Sequence, residues 1–453
     1  MPSTSLFRSS GISLRRAAPL ALVLALGLSG CGAFGGKGKP ATPTVGNRVA
    51  ILSRVESGAK VDADLANVAV VVPPATANAD WPQAGGTASK SYGNLAIAAN
   101  PQRAWSAKIA GSSKTQRLAA SPVIGGGQLF VMDTQGVVHA FDAASGAQHW
   151  TRSFEIKGDG ATSVYGGGAA FADGKVYVTT GVGEVAALDA ANGNVIWKVK
   201  PAGPLRGSPT IAFNAVFVMT QDNQIYSLDI ADGAQLWHET AATGQTGVFG
   251  VAAPAAGQGT VISGFSTGEL VAYRYENGRQ LWNDALARTS LSTTVGVLTD
   301  IDADPIIDRG RVFALGQGGR MAAYELVTGQ RIWELNLSGI STPAVAGDWI
   351  FTLTDDAKLL CIARSNGHVR WMTQLARFEN EKKKKNPVFW SGPVLAGERL
   401  WFVNSRGELY AASVTDGQPQ QAAQLKAPVT LSPVVAGGTL YVLDDDGKVT
   451  AFR

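Results

Sequence analysis

In this chain of 453 residues, a glycine followed four residues later by a tryptophan recurs at repeat-like intervals in six places. The tryptophans lie 38 to 51 residues apart, and one four-stranded blade of a β-propeller takes about 40 to 50 residues. Repeats of this kind predict similar units, each of which buries its apolar face against the next. The six pairs are Gly146/Trp150, Gly193/Trp197, Gly233/Trp237, Gly278/Trp282, Gly329/Trp333 and Gly367/Trp371.

Each copy has the same internal order. A Ser-Pro or Thr-Pro pair comes first, then two short apolar segments separated by a glycine turn, a third segment such as Gln224 to Asp229, and the segment that ends in tryptophan. Glycine after Ser, Asn or Asp accepts positive φ and is typical of hairpin turns. The pattern predicts four-stranded antiparallel meanders, with the tryptophans buried between neighbouring sheets and their indole N–H groups on backbone carbonyls.

Eight copies can be counted. The seventh has Gln421 where the tryptophan would stand, and the eighth, from Ser432 to Phe452, contains three strands. An open sheet edge favours aggregation, so Ala104, Trp105 and Ser106 are predicted to supply the missing strand. The expected fold is all-β: an eight-bladed β-propeller over residues 80–453, with four antiparallel strands per blade and an N-terminal strand closing the ring.

The repeat Ala-x-Asp-x-x-x-Gly-x-x-x-Trp resembles that of the pyrroloquinoline-quinone (PQQ) enzymes. WD40 repeats are the rival, but no Trp-Asp dipeptide recurs. Lysine plus arginine number 39 and aspartate plus glutamate 35, which argues against a large electrostatic footprint for nucleic acid. The resemblance therefore favours a PQQ-like propeller with no nucleic-acid partner.

The N-terminus is predicted to be an export signal over residues 1–30. Arg8, Arg15 and Arg16 precede an apolar segment, which ends in Leu28-Ser29-Gly30-Cys31. These four residues resemble the bacterial lipobox and imply lipid attachment at Cys31; an ordinary secretory signal that contains cysteine is the alternative. Residues 31–79 are predicted to be the lipidated cysteine and a flexible tether. Gly32, directly after the cysteine, resembles the sorting signal of lipoproteins that are sent to the outer membrane. The protein would then face the periplasm.

Two cysteines and four histidines offer little for catalysis. Many PQQ enzymes have adjacent cysteines beside the cofactor, and this chain has no such pair. Cys361 is interpreted as a small apolar strand residue, and the histidines fall in or beside separate repeat turns. No catalytic residue, metal or cofactor is expected. A PQQ-dependent dehydrogenase, or another periplasmic propeller enzyme, remains the alternative function.

Three features resemble the BamB family, the lipoproteins of the β-barrel assembly machinery. They are the Trp-Pro-x-x-Gly-Gly segment from Trp81 to Gly86, the Leu-Arg-Gly loop from Gly203 to Gly207, and the Asp-x-Asp-x-x-Pro loop from Asp300 to Pro305. The resemblance implies a scaffold that binds the POTRA repeats of BamA beside other assembly lipoproteins and supports insertion of outer-membrane proteins. Unfolded outer-membrane proteins, adding a strand at a blade edge, are a further implied partner. The implied partner-binding residues are Leu205, Arg206, Asp300 and Asp302.

The loops that contain Arg206 and the two aspartates, and the insertion between the sixth and seventh copies, each have an alternative interpretation. Arg206 can pair with Asp300 and Asp302 as a purely local salt bridge, or the two aspartates can form a calcium-like or capping turn. As partner contacts outside the tryptophan-bearing core, Arg206 and Asp302 are expected to tolerate substitution with little change in stability. The insertion from Arg377 to Pro387 contains four consecutive lysines. It is either a solvated loop or a contact to anionic headgroups.

Overall fold

The computed structural model describes residues 59–154, 166–242, 252–286 and 299–453. These residues form eight four-stranded antiparallel sheets in a propeller ring, as the sequence predicts. In seven sheets the four strands follow one another in chain order from the channel outward. The predicted export signal and Cys31 lie outside the described residues.

Blades 1 to 4 have their strands at the following positions. Blade 1 comprises β2 Val123–Gly125, β3 Gln128–Met132, β4 Val137–Asp142 and β5 Gln148–Ser153. Blade 2 comprises β6 Gly167–Ala172, β7 Lys175–Thr180, β8 Val185–Asp189 and β9 Val195–Val199. Blade 3 comprises β10 Thr210–Ala212, β11 Ala215–Met219, β12 Gln224–Asp229 and β13 Gln235–Thr240. Blade 4 comprises β14 Ala255–Gly257, β15 Thr260–Gly264, β16 Glu269–Arg274 and β17 Gln280–Ala285.

Blades 5 to 8 complete the ring. Blade 5 comprises β18 Ile306–Asp308, β19 Arg311–Gly316, β20 Arg320–Glu325 and β21 Arg331–Leu335. Blade 6 comprises β22 Ala344–Ala346, β23 Trp349–Leu353, β24 Lys358–Ala363 and β25 Val369–Gln374. Blade 7 comprises β28 Trp390–Ala396, β29 Arg399–Asn404, β30 Glu408–Ser413 and β31 Pro419–Gln424. Blade 8 comprises β32 Val434–Ala436, β33 Thr439–Leu443, β34 Lys448–Phe452 and β1 Arg103–Lys108. A hairpin, β26 Phe378–Asn380 with β27 Lys385–Pro387, lies between blades 6 and 7, and a short 3-10 helix spans Ala63–Leu65.

The N-terminal strand β1 closes the ring as predicted. It pairs antiparallel with β34, and Trp105 lies opposite Ala451. The backbone N–H groups of Gln102 and Arg453 each donate to the carbonyl of the other residue. The outermost edge of β34 is therefore covered by the strand that the sequence predicts.

Seven tryptophans each join one blade to the next, at seven of the eight seams of the ring. Each indole N–H donates to a backbone carbonyl in the following blade, at 2.7 to 3.2 Å. The pairs are Trp105 with Ala143, Trp150 with Ala190, Trp197 with Ile230, Trp237 with Tyr275, Trp282 with Leu326, Trp333 with Arg364, and Trp371 with Val414. Each of these side chains therefore contacts the neighbouring blade, and their weight in holding the blades together stays a prediction.

The repeat glycines have a second reason to be glycine. Besides their positive φ, a β-carbon at each would come within 2.4 to 2.8 Å of the preceding blade's tryptophan ring. Blade 7 has Gln421 in place of the tryptophan, and its amide donates to Gln424 instead. The outermost strand of blade 8 is β1, which no turn joins to β34. In the other blades, the tryptophan of the preceding blade contacts the turn between the third and fourth strands. Blade 8 has no such turn, so a tryptophan in blade 7 would have nothing equivalent to contact.

Residues 73–97 form an inner belt that follows the channel wall. The innermost strands leave backbone groups unpaired toward the channel, and buried unpaired groups are costly. The belt pairs with this edge in seven blades. Its hydrogen bonds join Trp81 to Ile124, Pro82 to Phe171, Gln83 to Ile211, Ala88 to Ala256, Ser89 to Ile307, Leu95 to Leu395, and Asn78 to Val435 and Gly437. In blade 6, Pro73 packs beside Gly347.

The Trp-Pro-x-x-Gly-Gly segment lies in the middle of this belt. Trp81 packs against Tyr92, with ring centroids 4.8 Å apart. A β-carbon on Gly86 would lie 3.1 Å from the Trp81 ring, and one on Gly85 would lie 2.8 Å from the side chain of Lys90. Both glycines also have positive φ. The two glycines are thus required by packing inside the channel.

The packed unit begins before the predicted boundary at residue 80. Val61 forms a parallel bridge with Val369 in β25, and the Asp62 N–H donates to the Val369 carbonyl at 2.8 Å. Arg370 donates from Nε to the carbonyl of Val68 at 2.6 Å. Residues 59–79 therefore lie against the propeller, which corrects the expectation of a flexible tether for this part of residues 31–79.

Candidate docking face

The two loops singled out by the sequence lie at the same end of the ring. Successive strands of a blade run antiparallel, so the connections between blades all emerge at one end, here called the inter-blade face. The loop from Gly203 to Gly207 connects blades 2 and 3, and the loop from Asp300 to Pro305 connects blades 4 and 5. Both loops therefore belong to this face.

A buried ion pair joins these two loops across 94 residues of sequence. Arg206 donates from Nη2 to Asp300 Oδ1 at 2.7 Å and to Asp302 Oδ1 at 3.3 Å. The side chains of Arg206 and Asp300 are each 1% exposed. Nε and Nη1 of Arg206 and Oδ2 of Asp300 have no hydrogen-bond partner among the described residues. The structure thus contains the local pairing that the sequence allowed.

Leu205 is also buried. It belongs to the apolar cluster that contains Tyr177, Ile211 and Val216. The backbone around it is held on both sides, because the Arg206 N–H donates to the Met219 carbonyl at 2.8 Å and the Arg206 carbonyl accepts from Gly167 at 3.0 Å. This packing contradicts the expectation that Arg206 lies outside the core.

Asp302 is the member of the set that reaches the surface, with a side chain 10% exposed. Burial raises its pKa to about 7, repulsion by Asp300 adds to the shift, and attraction to Arg206 opposes it. Asp304, two residues on, accepts from the Ala253 N–H at 2.7 Å. Burial also raises the pKa of Asp304, against the opposing charge of Lys90.

Lys90 is a functional candidate that sequence reasoning missed. It is 1% exposed and donates from Nζ to the Ala84 carbonyl at 2.8 Å and to Thr210 Oγ1 at 3.1 Å. Burial lowers its pKa to about 8, and Asp304 opposes the shift. A lone lysine in a polar segment carries no pattern that predicts this position. Its contacts attach the inner belt to blade 3.

A cavity of about 670 Å³ opens at the centre of the inter-blade face. Trp81 and Tyr92 of the inner belt line it, as does Asp302. Two apolar side chains on inter-blade connections also line it and remain exposed to solvent, Ile340 by 46% and Phe389 by 65%. Single apolar residues in loops have no periodicity, so the sequence does not mark them as candidates.

The described residues contain no group of three His, Cys, Asp or Glu side chains placed to hold a metal ion. The histidines are dispersed, and each contacts a different polar neighbour. The pairs are His139 with Asp133, His149 with Gln128, His238 with Gln235, and His368 with Asp62. Cys361 is buried, and burial raises its thiol pKa. Among the described helices, none has the length and apolar character needed to cross a membrane.

A comparison with protein-family sequence models shows which family the chain belongs to. The family model described as outer membrane protein assembly factor BamB matches residues 88–164, 134–373 and 373–453. The chain belongs to the BamB family. This family has the all-β propeller and the PQQ-like repeat that the sequence predicts, and the resemblance stated from the residues is confirmed.

Curated relatives agree with this assignment. The chain is 26% identical to outer membrane protein assembly factor BamB of Yersinia pestis over 358 residues, covering 78% of this chain and 89% of the relative. It is 27% identical to the protein of the same name from Escherichia coli K12 over 355 residues, covering 77% and 88%. The role of an outer membrane protein assembly factor follows for this chain.

Solved structures show the same fold. BamB from Moraxella catarrhalis superposes with a TM-score of 0.66 at 21% identity, covering 78% of this chain and 99% of that one. The quinohemoprotein alcohol dehydrogenase of Comamonas testosteroni superposes with a TM-score of 0.65 at 15% identity, covering 88% and 83%. These identities establish a shared propeller fold and nothing about chemistry.

Proposed function

We propose that this chain is a lipid-anchored docking scaffold of the β-barrel assembly machinery, which binds the POTRA repeats of BamA and supports insertion of outer-membrane β-barrels. The observation that carries the proposal is the buried pair of Arg206 with Asp300, at 2.7 Å, which ties two inter-blade loops of a BamB-family propeller together. A rigid face of this kind docks a partner without ordering loops at the moment of binding.

The candidate residues divide into two roles within this proposal. Leu205, Arg206 and Asp300 hold the loops in position from beneath, because their side chains are buried. Asp302 and Ile340 reach the surface and contact the partner. Apolar side chains around which water is excluded supply most interface free energy, and a partly buried carboxylate adds orientation.

The docking face can be tested by capture of partners from a detergent-solubilised envelope. Ile340→Ser or Asp302→Asn is expected to reduce BamA capture about tenfold, which corresponds to about 1.4 kcal/mol. Val327→Ser is the matched control, since Val327 is 75% exposed and lies in the turn between β20 and β21 at the opposite end of the ring. Equal capture by all three variants would contradict the docking face. Recovery of a quinone-linked electron carrier in place of BamA would favour the enzyme alternative.

The anchor has its own test. Cys31→Ala in the full chain is expected to release the protein from membranes washed with high salt, since several acyl chains give stable anchoring where one chain does not. The propeller should keep its melting temperature. A variant that stays in the membrane fraction after the wash would show that lipid at Cys31 is not what holds the protein there.

A further inference from the structure

The hairpin between blades 6 and 7 carries an unusual share of the charge of this chain. Residues 377–389 contain one arginine, four lysines and two glutamates, a net charge of +3 in a chain whose formal charge is +4. Three further arginines lie in the predicted export signal. The rest of the protein is therefore slightly acidic, and this hairpin is a local cationic site on it.

The backbone of the hairpin is ordered by its own contacts. Phe378 pairs with Pro387 and Asn380 with Lys385. At its base, the Val388 N–H donates to the Arg377 carbonyl at 2.9 Å. These bonds present the four lysines on a short β-hairpin at the inter-blade face.

The carboxylates of the hairpin accept hydrogen bonds from other residues of the hairpin, whereas the lysine ammonium groups form no ion pair with them. Glu381 Oε1 accepts from the backbone N–H groups of Arg377 and Phe378 at 2.7 and 3.2 Å. Glu379 Oε2 accepts from Asn386 at 2.7 Å. Within the described part of the chain, none of the four ammonium groups of Lys382 to Lys385 is in an ion pair, and residues 379–387 are all exposed.

We propose that this hairpin binds the surface of an anionic phospholipid bilayer. Nine consecutive residues, 379–387, are exposed, and lysine is depleted from the cores of protein interfaces. Attraction of lysines to an anionic membrane needs only proximity, because it is not directional. Phe389 at the base, 65% exposed, adds an apolar ring of the kind that inserts at the level of the headgroups.

The course of the chain is compatible with this contact. The first described residues lie beside the start of the outermost strand of blade 6, where Val61 pairs with Val369. That strand, β25, runs from there to the inter-blade face, where the hairpin follows it. Residues 32–58 span at most about 90 Å when extended, so an anchor at Cys31 leaves the hairpin within reach of the same bilayer. The argument from reach depends on the proposed lipid anchor at Cys31. The binding of the hairpin to anionic vesicles does not depend on it.

The test uses the full chain carrying Cys31→Ala, so that no lipid anchor contributes to binding. Sedimentation is measured with vesicles of phosphatidylcholine alone and of phosphatidylcholine mixed with phosphatidylglycerol. Replacing Lys382 to Lys385 by glutamine is expected to lower the partition onto the anionic vesicles about tenfold or more. The loss should shrink as salt is added, because screening weakens the attraction in the unaltered chain. Phe389→Ser should lower the partition several-fold.

A charge-matched control separates the hairpin from net charge. Replacing the exposed lysines 60, 114, 200 and 426 by glutamine removes the same charge from scattered positions, and it should change the partition less than twofold. An equal loss in both quadruple variants would overturn the proposal, as would equal binding to neutral and anionic vesicles. If the hairpin variant binds anionic vesicles normally but captures less of an acidic envelope protein, the hairpin is a protein contact and the proposal is wrong.

Discussion

The outer seams and the inner channel of this propeller are stabilised in different ways. On the outside, the same contact is made seven times, with a tryptophan ring over a glycine and its indole N–H on a carbonyl of the next blade. In the channel, every contact is made once. The inner belt meets each blade with a different residue, and Arg206 bridges the loops before blades 3 and 5.

This difference governs how each region responds to change. The seam between blades 7 and 8 has Gln421 in place of the tryptophan, and the ring is still closed by β1. A repeated apolar contact is therefore dispensable at one position, since the other seams remain. A buried polar contact made once has no substitute, and losing one member leaves the other unpaired in the interior.

The largest effect is expected from removing the inner belt. A chain lacking residues 1–99 retains β1 but loses Trp81 and Leu95, which are 4% and 3% exposed. Loss of one such buried aromatic typically costs about 3 to 5 kcal/mol, and the belt also pairs with seven innermost strands. The expected result is aggregation or a large fall in melting temperature, measured by circular dichroism.

The control for that truncation is a chain lacking residues 1–58, which keeps every described residue. It should melt like the full chain. If the two truncations melt cooperatively at the same temperature, the belt does not stabilise the channel. Deletion through Ile109 removes β1 as well and should be at least as damaging.

The next largest effect is expected at the buried ion pair. Arg206→Met leaves Asp300 buried without its cation, which costs about 3 to 5 kcal/mol in urea unfolding. Arg274→Met is the comparison, because its pair with Glu276 is exposed by 52% and 43% and exposed ion pairs contribute little to stability. Similar losses in the two variants would show that burial of the Arg206 pair has no energetic weight.

At the outer seams, two glycines with similar backbone angles separate turn strain from ring packing. Gly278 and Gly259 have φ of 72° and 77°. A β-carbon on Gly278 would lie 2.7 Å from the Trp237 ring, whereas one on Gly259 meets nothing within 4 Å. Gly259→Ala should cost about 1 to 2 kcal/mol for its conformation. Gly278→Ala should cost about 1 to 3 kcal/mol more, for overpacking.

The last prediction concerns pH. The pKa of Asp302 is about 7 in the folded protein, above its ordinary value of 3.8. Between these values the folded state binds more protons than the unfolded state, so the contribution of Asp302 to stability falls as pH rises toward 7 and is constant above it. Asp302→Asn should remove this slope, measured as the difference in unfolding free energy between the two chains from pH 5 to pH 8. Parallel profiles would contradict the raised pKa.

Much of the ring was predictable from local patterns. The glycine and tryptophan spacing predicts the blades, and the incomplete eighth copy together with Trp105 predicts the closing strand. These predictions hold because hairpin turns and strand alternation are decided by residues close together in sequence. The pairing of Arg206 with the aspartate loop was one of two interpretations, and the sequence did not show that the pair would be buried.

By itself, then, the sequence determined the number of blades, their internal order, the tryptophan seams and the closure of the ring. Only the tertiary structure decided the path of the inner belt, the burial of Leu205, Arg206 and Asp300, and the exposure of Ile340 and Phe389 around the central cavity. The physical reason is separation along the chain. Gln83 meets Ile211 across 128 residues, and Arg206 meets Asp300 across 94. Such contacts exist only once the ring has brought its blades around a common centre.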